Sequence, residues 1–203
     1  MSTMAKPIDA KQVAELRART GAGMMDCKRA LEEAQGDMAK AEEVVRIKYA
    51  AKAEKRADRA AAEGLIEVYL HFNGRVAAMV EVNCETDFVA NTPEFRQLAK
   101  DLALHVTSAR PIAVRVEDIP AEVVERERRI YAAQVAEEKK PEGVKAKIVE
   151  GKLRKFYEEH VLLEQAFVKD DKVKVGDLVQ ALSGKTGEKI EVRRFARFEL
   201  GGS

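Results

Sequence analysis

Hydrophobic spacing changes several times along the chain, and the changes divide it. From Asp9 to Lys48 apolar residues recur at helical intervals in three short bouts. Val13 and Leu16 mark the first. Asp9 is placed to cap it, Gln12 completes a capping box, and Gly21 closes it. Met24, Cys27, Leu31 and Ala34 form the stripe of the second, which Gly36 stops. Asp37 caps the third, whose face carries Ala41, Val44, Val45 and Lys48, the lysine burying only its stem. Three such helices can share one small core, so residues 1–49 are expected to form a compact three-helix domain. The next stretch, Ala50–Glu63, reads AAKAEKRADRAAAE and holds no large apolar residue. It predicts a solvated helical tether over 50–63.

Beyond Gly64 the period drops to two. Ile66, Val68, Leu70 and Phe72 alternate with Glu67, Tyr69 and His71; Val76, Ala78, Val80 and Val82 alternate after Asn73-Gly74. This is a hairpin pattern. A three-residue loop, Phe72-Asn73-Gly74, sets Leu70 opposite Val76 and Val68 opposite Ala78, uniting one apolar face with Gly74 left-handed. Thr92-Pro93 opens a helix whose face is Phe95, Leu98, Ala99, Leu102 and Val106. Pro120 opens another, reaching about Glu138, and Pro141 precedes a third that runs to about His160. These two are densely charged and read as a helical protrusion over about 118–160. A short helix near Val175–Leu182 and a last strand through Ile190, Val192, Ala196, Phe198 and Leu200 complete the chain. The expected class is α+β, helices packed on a small antiparallel sheet, with 64–203 as the core domain.

Composition narrows the picture. The chain has 203 residues, 36 basic and 35 acidic, for a net charge of +1. So even a balance gives no general electrostatic reason to bind nucleic acid or an anionic membrane. No uninterrupted apolar run is long enough to span a bilayer, and Met1–Pro7 has no apolar signal core. Cys27 and Cys84, far apart, make neither a disulfide framework nor a four-thiolate metal site, so both are expected reduced and the compartment cytoplasmic.

Candidate chemistry is thin. Ser183-Gly184-Lys185-Thr186 resembles the end of a phosphate loop, but Val179 stands where the leading glycine belongs. The segment also leads from helix to strand, the reverse of that motif, so a turn is the better reading. Gly21-Ala22-Gly23 follows no strand, and His71, His105 and His160 fall on three elements. Cys84 has no basic neighbour and reads as a buried thiol. No catalytic residue, metal site or cofactor site is expected. Arg193, Arg194 and Arg197 make a basic patch with too few stacking aromatics for an RNA platform. Two features remain. Met25 points off the core stripe, either against the tether or outward as an adaptable contact. Phe88, in the connector Thr86-Asp87-Phe88, either tucks under the next helix or anchors a partner.

The stretch LRARTGAGMMDCKRALEEAQGD, Leu16–Asp37, resembles the N-terminal signature of bacterial elongation factor Ts. VEVNCETDFVAN, Val80–Asn91, is similar to that family's second signature, and IPAEVVERER and LLEQAFVKD match later segments in order. The resemblance covers nearly the whole chain and is to the shorter members, with one hairpin unit. It implies a guanine-nucleotide exchange factor, not an enzyme, that binds elongation factor Tu in GDP-bound and nucleotide-free forms. It implies a ubiquitin-associated-like N-terminal domain, with Leu16, Arg17, Met24 and Met25 at the contact with the partner's nucleotide-binding domain. It assigns Thr86, Asp87, Phe88 and Val89 to dislodging the partner's Mg²⁺, and it implies neither cofactor, membrane nor direct nucleic-acid binding. Short members can pair as homodimers; alanine at 196, where some carry cysteine, excludes a disulfide there. Ala166 departs from the family's usual proline. The competing reading is a non-catalytic helical scaffold for another protein or RNA.

Overall fold

The structure, a computed structural model, describes residues 8–202 except Ala57 and Glu138. Met1–Pro7, expected to hold no signal core, and Glu138, the expected end of one helix, lie outside the described residues. In chain order the elements are α1 (Ala10–Thr20), α2 (Met24–Glu33), α3 (Met38–Glu54), β1 (Glu63–Leu70), β2 (Val76–Cys84), α4 (Asp87–Ala90), α5 (Pro93–Ala109), α6 (Ala121–Ala136), α7 (Glu142–His160), β3 (Ala166–Phe167), β4 (Asp170–Lys174), α8 (Val175–Thr186) and β5 (Glu191–Glu199). This is the expected α+β architecture.

The first three helices form where their caps place them. The Asp9 carboxylate accepts the Lys11 N–H at 3.2 Å while the Gln12 side chain accepts the Asp9 N–H at 3.3 Å. Gly21 ends α1 in the left-handed region at φ 67°. One core gathers Val13, Leu16, Ala22, Cys27, Ala30, Leu31, Ala34, Ala41, Val45 and Tyr49. Two expectations fail in detail. Met24 is exposed rather than buried; Ala22 takes the place beside Cys27, whose thiol donates to the Ala22 carbonyl at 3.7 Å. Lys48 is exposed, and Tyr49 closes that face instead, its hydroxyl accepting the Gly23 N–H at 2.9 Å. Helix α3 stops at Glu54, well short of Glu63.

The three-stranded sheet has the order β1-β2-β5. Here the hairpin departs from expectation. The His71 N–H donates to the Val76 carbonyl at 2.9 Å and the Gly74 N–H to His71 O at 2.8 Å, so the connection is four residues, Phe72–Arg75. Gly74 is left-handed at φ 68°, as expected. One extra loop residue moves a strand's side chains to the other face. Ala78, Val80 and Val82 of β2 are therefore buried, while Ile66, Val68 and Leu70 of β1 are exposed. The sheet has two apolar faces, not one. Helix α5 buries the face expected of it, from Phe95 to Val106.

Contacts gather the chain into two compact units. One holds the described residues up to Ile66, with Glu81–Ala99 and Leu178–Val192. In it Gly184 of α8 lies against Tyr49: a Cβ there would fall 2.4 Å from the ring, so no side chain fits. The other holds Glu67–Val80, Lys100–Asp177 and the residues from Arg193 onward. In it α6 and α7 pack through Val135, Val149 and Leu153, flanked by Val124, Tyr131, Ile148 and Tyr157. It also contains β3 and β4, a small antiparallel hairpin that the spacing does not reveal, with Ala166 opposite Lys174. Alanine at 166 thus sits in a paired strand with an irregularity between it and Phe167.

Candidate functional site

The connector after β2 builds its geometry from the backbone outward. Thr86 is extended, at φ −130° and ψ 153°, and caps the single turn α4 by accepting the Val89 N–H on Oγ1. Its carbonyl accepts the Ala90 N–H at 3.2 Å and the Cys84 S–H at 3.1 Å. Burial, and after it the charge of Glu188, pushes the Cys84 thiol up to about 11. It therefore stays protonated and serves as a donor, in keeping with a structural role.

The turn from α8 to β5 holds this connector from the other side. Glu188 Oε2 accepts the N–H groups of Glu85 at 3.2 Å and Thr86 at 3.1 Å, and Glu188 Oε1 accepts the Thr86 hydroxyl at 2.6 Å. In return Glu85 Oε1 accepts the Lys189 N–H at 2.6 Å and faces Arg59 at 3.3 Å. The Lys189 N–H first, and Arg59 after it, hold the Glu85 carboxyl below its ordinary value against the cost of burial.

On this support the exposed residues follow from the helical turn. Asp87 is exposed, Val89 half-buried and Ala90 buried. The Phe88 side chain does not tuck under α5: the residue is 82% exposed. Phe88 is therefore not part of its own chain's core.

The N-terminal candidates separate. Leu16 is fully buried in the three-helix core. Arg17 and Met24 line one shallow groove with Ala14, Ala18, Gly21–Gly23 and Lys185. Met25 lies outside that lining and is 59% exposed.

Elsewhere the remaining sequence candidates dissolve into structure. Ser183–Thr186 ends α8, and Gly187 at φ 77° turns the chain toward β5, so this is a helix-to-strand turn. The residue of this turn that holds the connector is Glu188, which spacing does not single out because its partner Glu85 is 103 positions away. His105 is buried against Gln165, and His160 bonds the Phe156 carbonyl one turn back. No group of three or more metal-ligating side chains forms among the described residues. No helix among them is long and apolar enough to cross a membrane.

A family model described as Elongation factor TS matches residues 1–202. An elongation factor Ts of Thermotoga maritima is 55% identical over 189 residues, covering 93% of this chain and 94% of its own. Those of Carboxydothermus hydrogenoformans and Anaeromyxobacter dehalogenans are each 55% identical over 194 residues, covering 96% of this chain and 89% of theirs.

Proposed function

We propose, from the premise that this chain belongs to the elongation factor Ts family, that it releases GDP from elongation factor Tu by inserting Phe88 and its neighbours beside the partner's metal site. The observation that carries this reading is Phe88 itself, 82% exposed on a turn whose cap, Thr86, is held by a carboxylate. An isolated exposed ring gains nothing for its own fold; placed on rigid backbone, it suits a partner's pocket.

GDP is held largely through phosphates whose charge Mg²⁺ offsets. A wedge that displaces the metal and the groups around the phosphates weakens GDP without touching the base. No covalent step is involved. Asp87 stands on the same turn and adds charge at the rim of the wedge, while Val89 packs its base. Exchange of this kind is a coupling between two ligands of one partner, and it is reciprocal. The nucleotide-free partner is then the form bound most tightly.

The N-terminal helices supply a second contact. Arg17, Met24 and Met25 present a charge and two adaptable thioethers. Leu16 acts from beneath, fixing α1 so that Arg17 faces outward. Residues up to Tyr49 form the N-terminal domain, the segment to Glu63 the tether, and the rest the core. A homodimer forms through the uncovered sheet face, where Val68, Leu70, Met79, Phe198 and Leu200 are exposed. The protein acts in the cytoplasm without direct nucleic-acid contact, consistent with its even charge.

The test is rapid mixing of the protein with elongation factor Tu preloaded with fluorescent GDP. Release far faster than the spontaneous rate supports the exchange factor. An unchanged rate would leave the scaffold reading instead.

A further inference from the structure

We propose that Glu188 is a positioning residue for nucleotide release: it fixes the direction in which Phe88 is presented. This rests on the wedge reading of Phe88 given under Proposed function. Phe88 is too exposed for packing to set its direction. Its backbone must do so, and that backbone is fixed two residues earlier, at Thr86.

Every polar group of Thr86 is engaged. Its N–H and its hydroxyl hydrogen both go to the Glu188 carboxylate, at 3.1 and 2.6 Å. Its carbonyl takes the Cys84 thiol and the Ala90 N–H, and its Oγ1 takes the Val89 N–H. Glu188 is thus the partner of Thr86 that comes from outside the connector. It is itself anchored. Its carbonyl accepts the Ser183 hydroxyl at 2.5 Å, and its N–H donates to Thr186 Oγ1 at 3.4 Å. The Glu85 carboxylate returns the contact by taking the Lys189 N–H at 2.6 Å. Two chain segments exchange carboxylates for backbone N–H groups, and this lattice holds the start of α4 in one orientation. Hydrogen bonds to an ionised acceptor are the strong kind, and a pre-oriented binding element loses less freedom on docking.

The role predicts specific substitutions. In Glu188→Ala the two N–H groups and the Thr86 hydroxyl lose their acceptor, and Phe88 samples other directions. Glu188→Gln restores most of the arrangement. Its amide oxygen accepts the two N–H groups, and its amide nitrogen donates to Thr86 Oγ1. Glu188→Asp keeps the charge but draws it back by one methylene, and serves as a folded variant should the alanine variant not fold.

The experiment measures fluorescent GDP release from elongation factor Tu with the full-length protein, alongside a thermal melt of each variant. The set is Phe88→Ala, Glu188→Ala, Glu188→Asp, Glu188→Gln and the Phe88→Ala/Glu188→Ala pair. Removing Glu188 should slow release about ten- to a hundredfold, in the upper part of the range of coupling within one hydrogen-bonded network. Aspartate should fall between alanine and wild type, and glutamine should recover most of the rate. In the double variant the further slowing beyond Phe88→Ala should be much smaller than Glu188→Ala causes alone, because the misdirected ring is absent and only the share of Asp87 on the same turn is left to lose. The melting temperature should still fall by the Glu188→Ala amount on either background, separating presentation from stability. Impaired release by Phe88→Ala with wild-type release by Glu188→Ala and Glu188→Asp would overturn the proposal and leave the wedge standing. Multiplying losses in the double variant would also overturn it, placing Glu188 in some other contact. Unimpaired release by Phe88→Ala would remove the wedge reading and this proposal with it.

Discussion

At the scale of the residue, the protein's central feature is an aromatic ring that its own core does not need. Phe88→Ala should therefore cost well under the roughly 3–5 kcal/mol of a buried phenylalanine, because the ring is already in water. The loss should appear in partner-stimulated GDP release, by about 2–4 kcal/mol, or roughly thirty- to a thousandfold. Asp87→Ala should show a milder form of the same pattern, since a rim charge affects encounter more than residence. Denaturant melts and GDP-release rates on both variants check this; a large loss of stability with release intact would return Phe88 to the core. The sequence makes Phe88 conspicuous, an aromatic beside an acid in a connector, but leaves its direction open. Direction depends on Glu188 and Lys189, which reach Thr86 and Glu85 from far along the chain. No local pattern encodes such a pairing. Met24 is equally open to misreading, because periodicity places it on the buried stripe while Ala22 fills the space.

At the scale of the element, caps and breakers are the most legible features. Asp9, Gly21, Pro93, Pro120 and Pro141 mark boundaries that the helices respect. Register is not so legible: a hairpin loop longer by one residue sends Ile66, Val68 and Leu70 to the opposite face from Val80. The β3–β4 hairpin is also invisible to spacing, being two and five residues long and rich in lysine and aspartate. What holds it can be tested. The Val168 N–H donates to His105 Nδ1 at 3.2 Å, so Nε2 carries the proton and donates to Gln165 Oε1 at 3.0 Å. Gln165 in turn donates to the Ala109 and Glu159 carbonyls. Around the ring stand Phe167, and further out the Lys169–Asp101 ion pair at 2.6 Å. Burial pushes the His105 pKa down, opposed by Gln165. The unfolded chain therefore binds the proton more readily than the folded one. Stability is full above about pH 6.5 and falls as pH drops toward the lowered folded value, by at most about 1.4 kcal/mol per pH unit. Thermal melts between pH 7.5 and 5.5 should show that decline, and His105→Gln should flatten it; an equal slope in both would contradict the assignment. The tether makes a different prediction. Limited proteolysis should cut first between Ala50 and Glu63, and protection of that stretch with cuts elsewhere would count against the domain boundary.

At the scale of the whole molecule, the α+β class and the order of β1, β2, β5 and the helices other than the single turn α4 are readable from spacing alone, because each rests on local periodicity. The second apolar sheet face is not, because it follows from register, and it motivates the prediction of a dimer. Sedimentation at micromolar concentration should show a dimer, and Phe198→Asp, which places a charge on that face, should give a monomer. A wild-type protein that stays monomeric and fully active would refute the dimer. Exchange itself makes the most direct demand. If this protein loosens GDP by a given factor, GDP with Mg²⁺ must loosen this protein by the same factor. Calorimetric titration of the protein into elongation factor Tu, nucleotide-free and then saturated with GDP and Mg²⁺, gives one side of the cycle. Titration of GDP with and without the protein gives the other. The two ratios should agree, both far from one, and both should shrink in Phe88→Ala. Equal affinity for the nucleotide-free and GDP-bound partner would contradict the exchange mechanism outright.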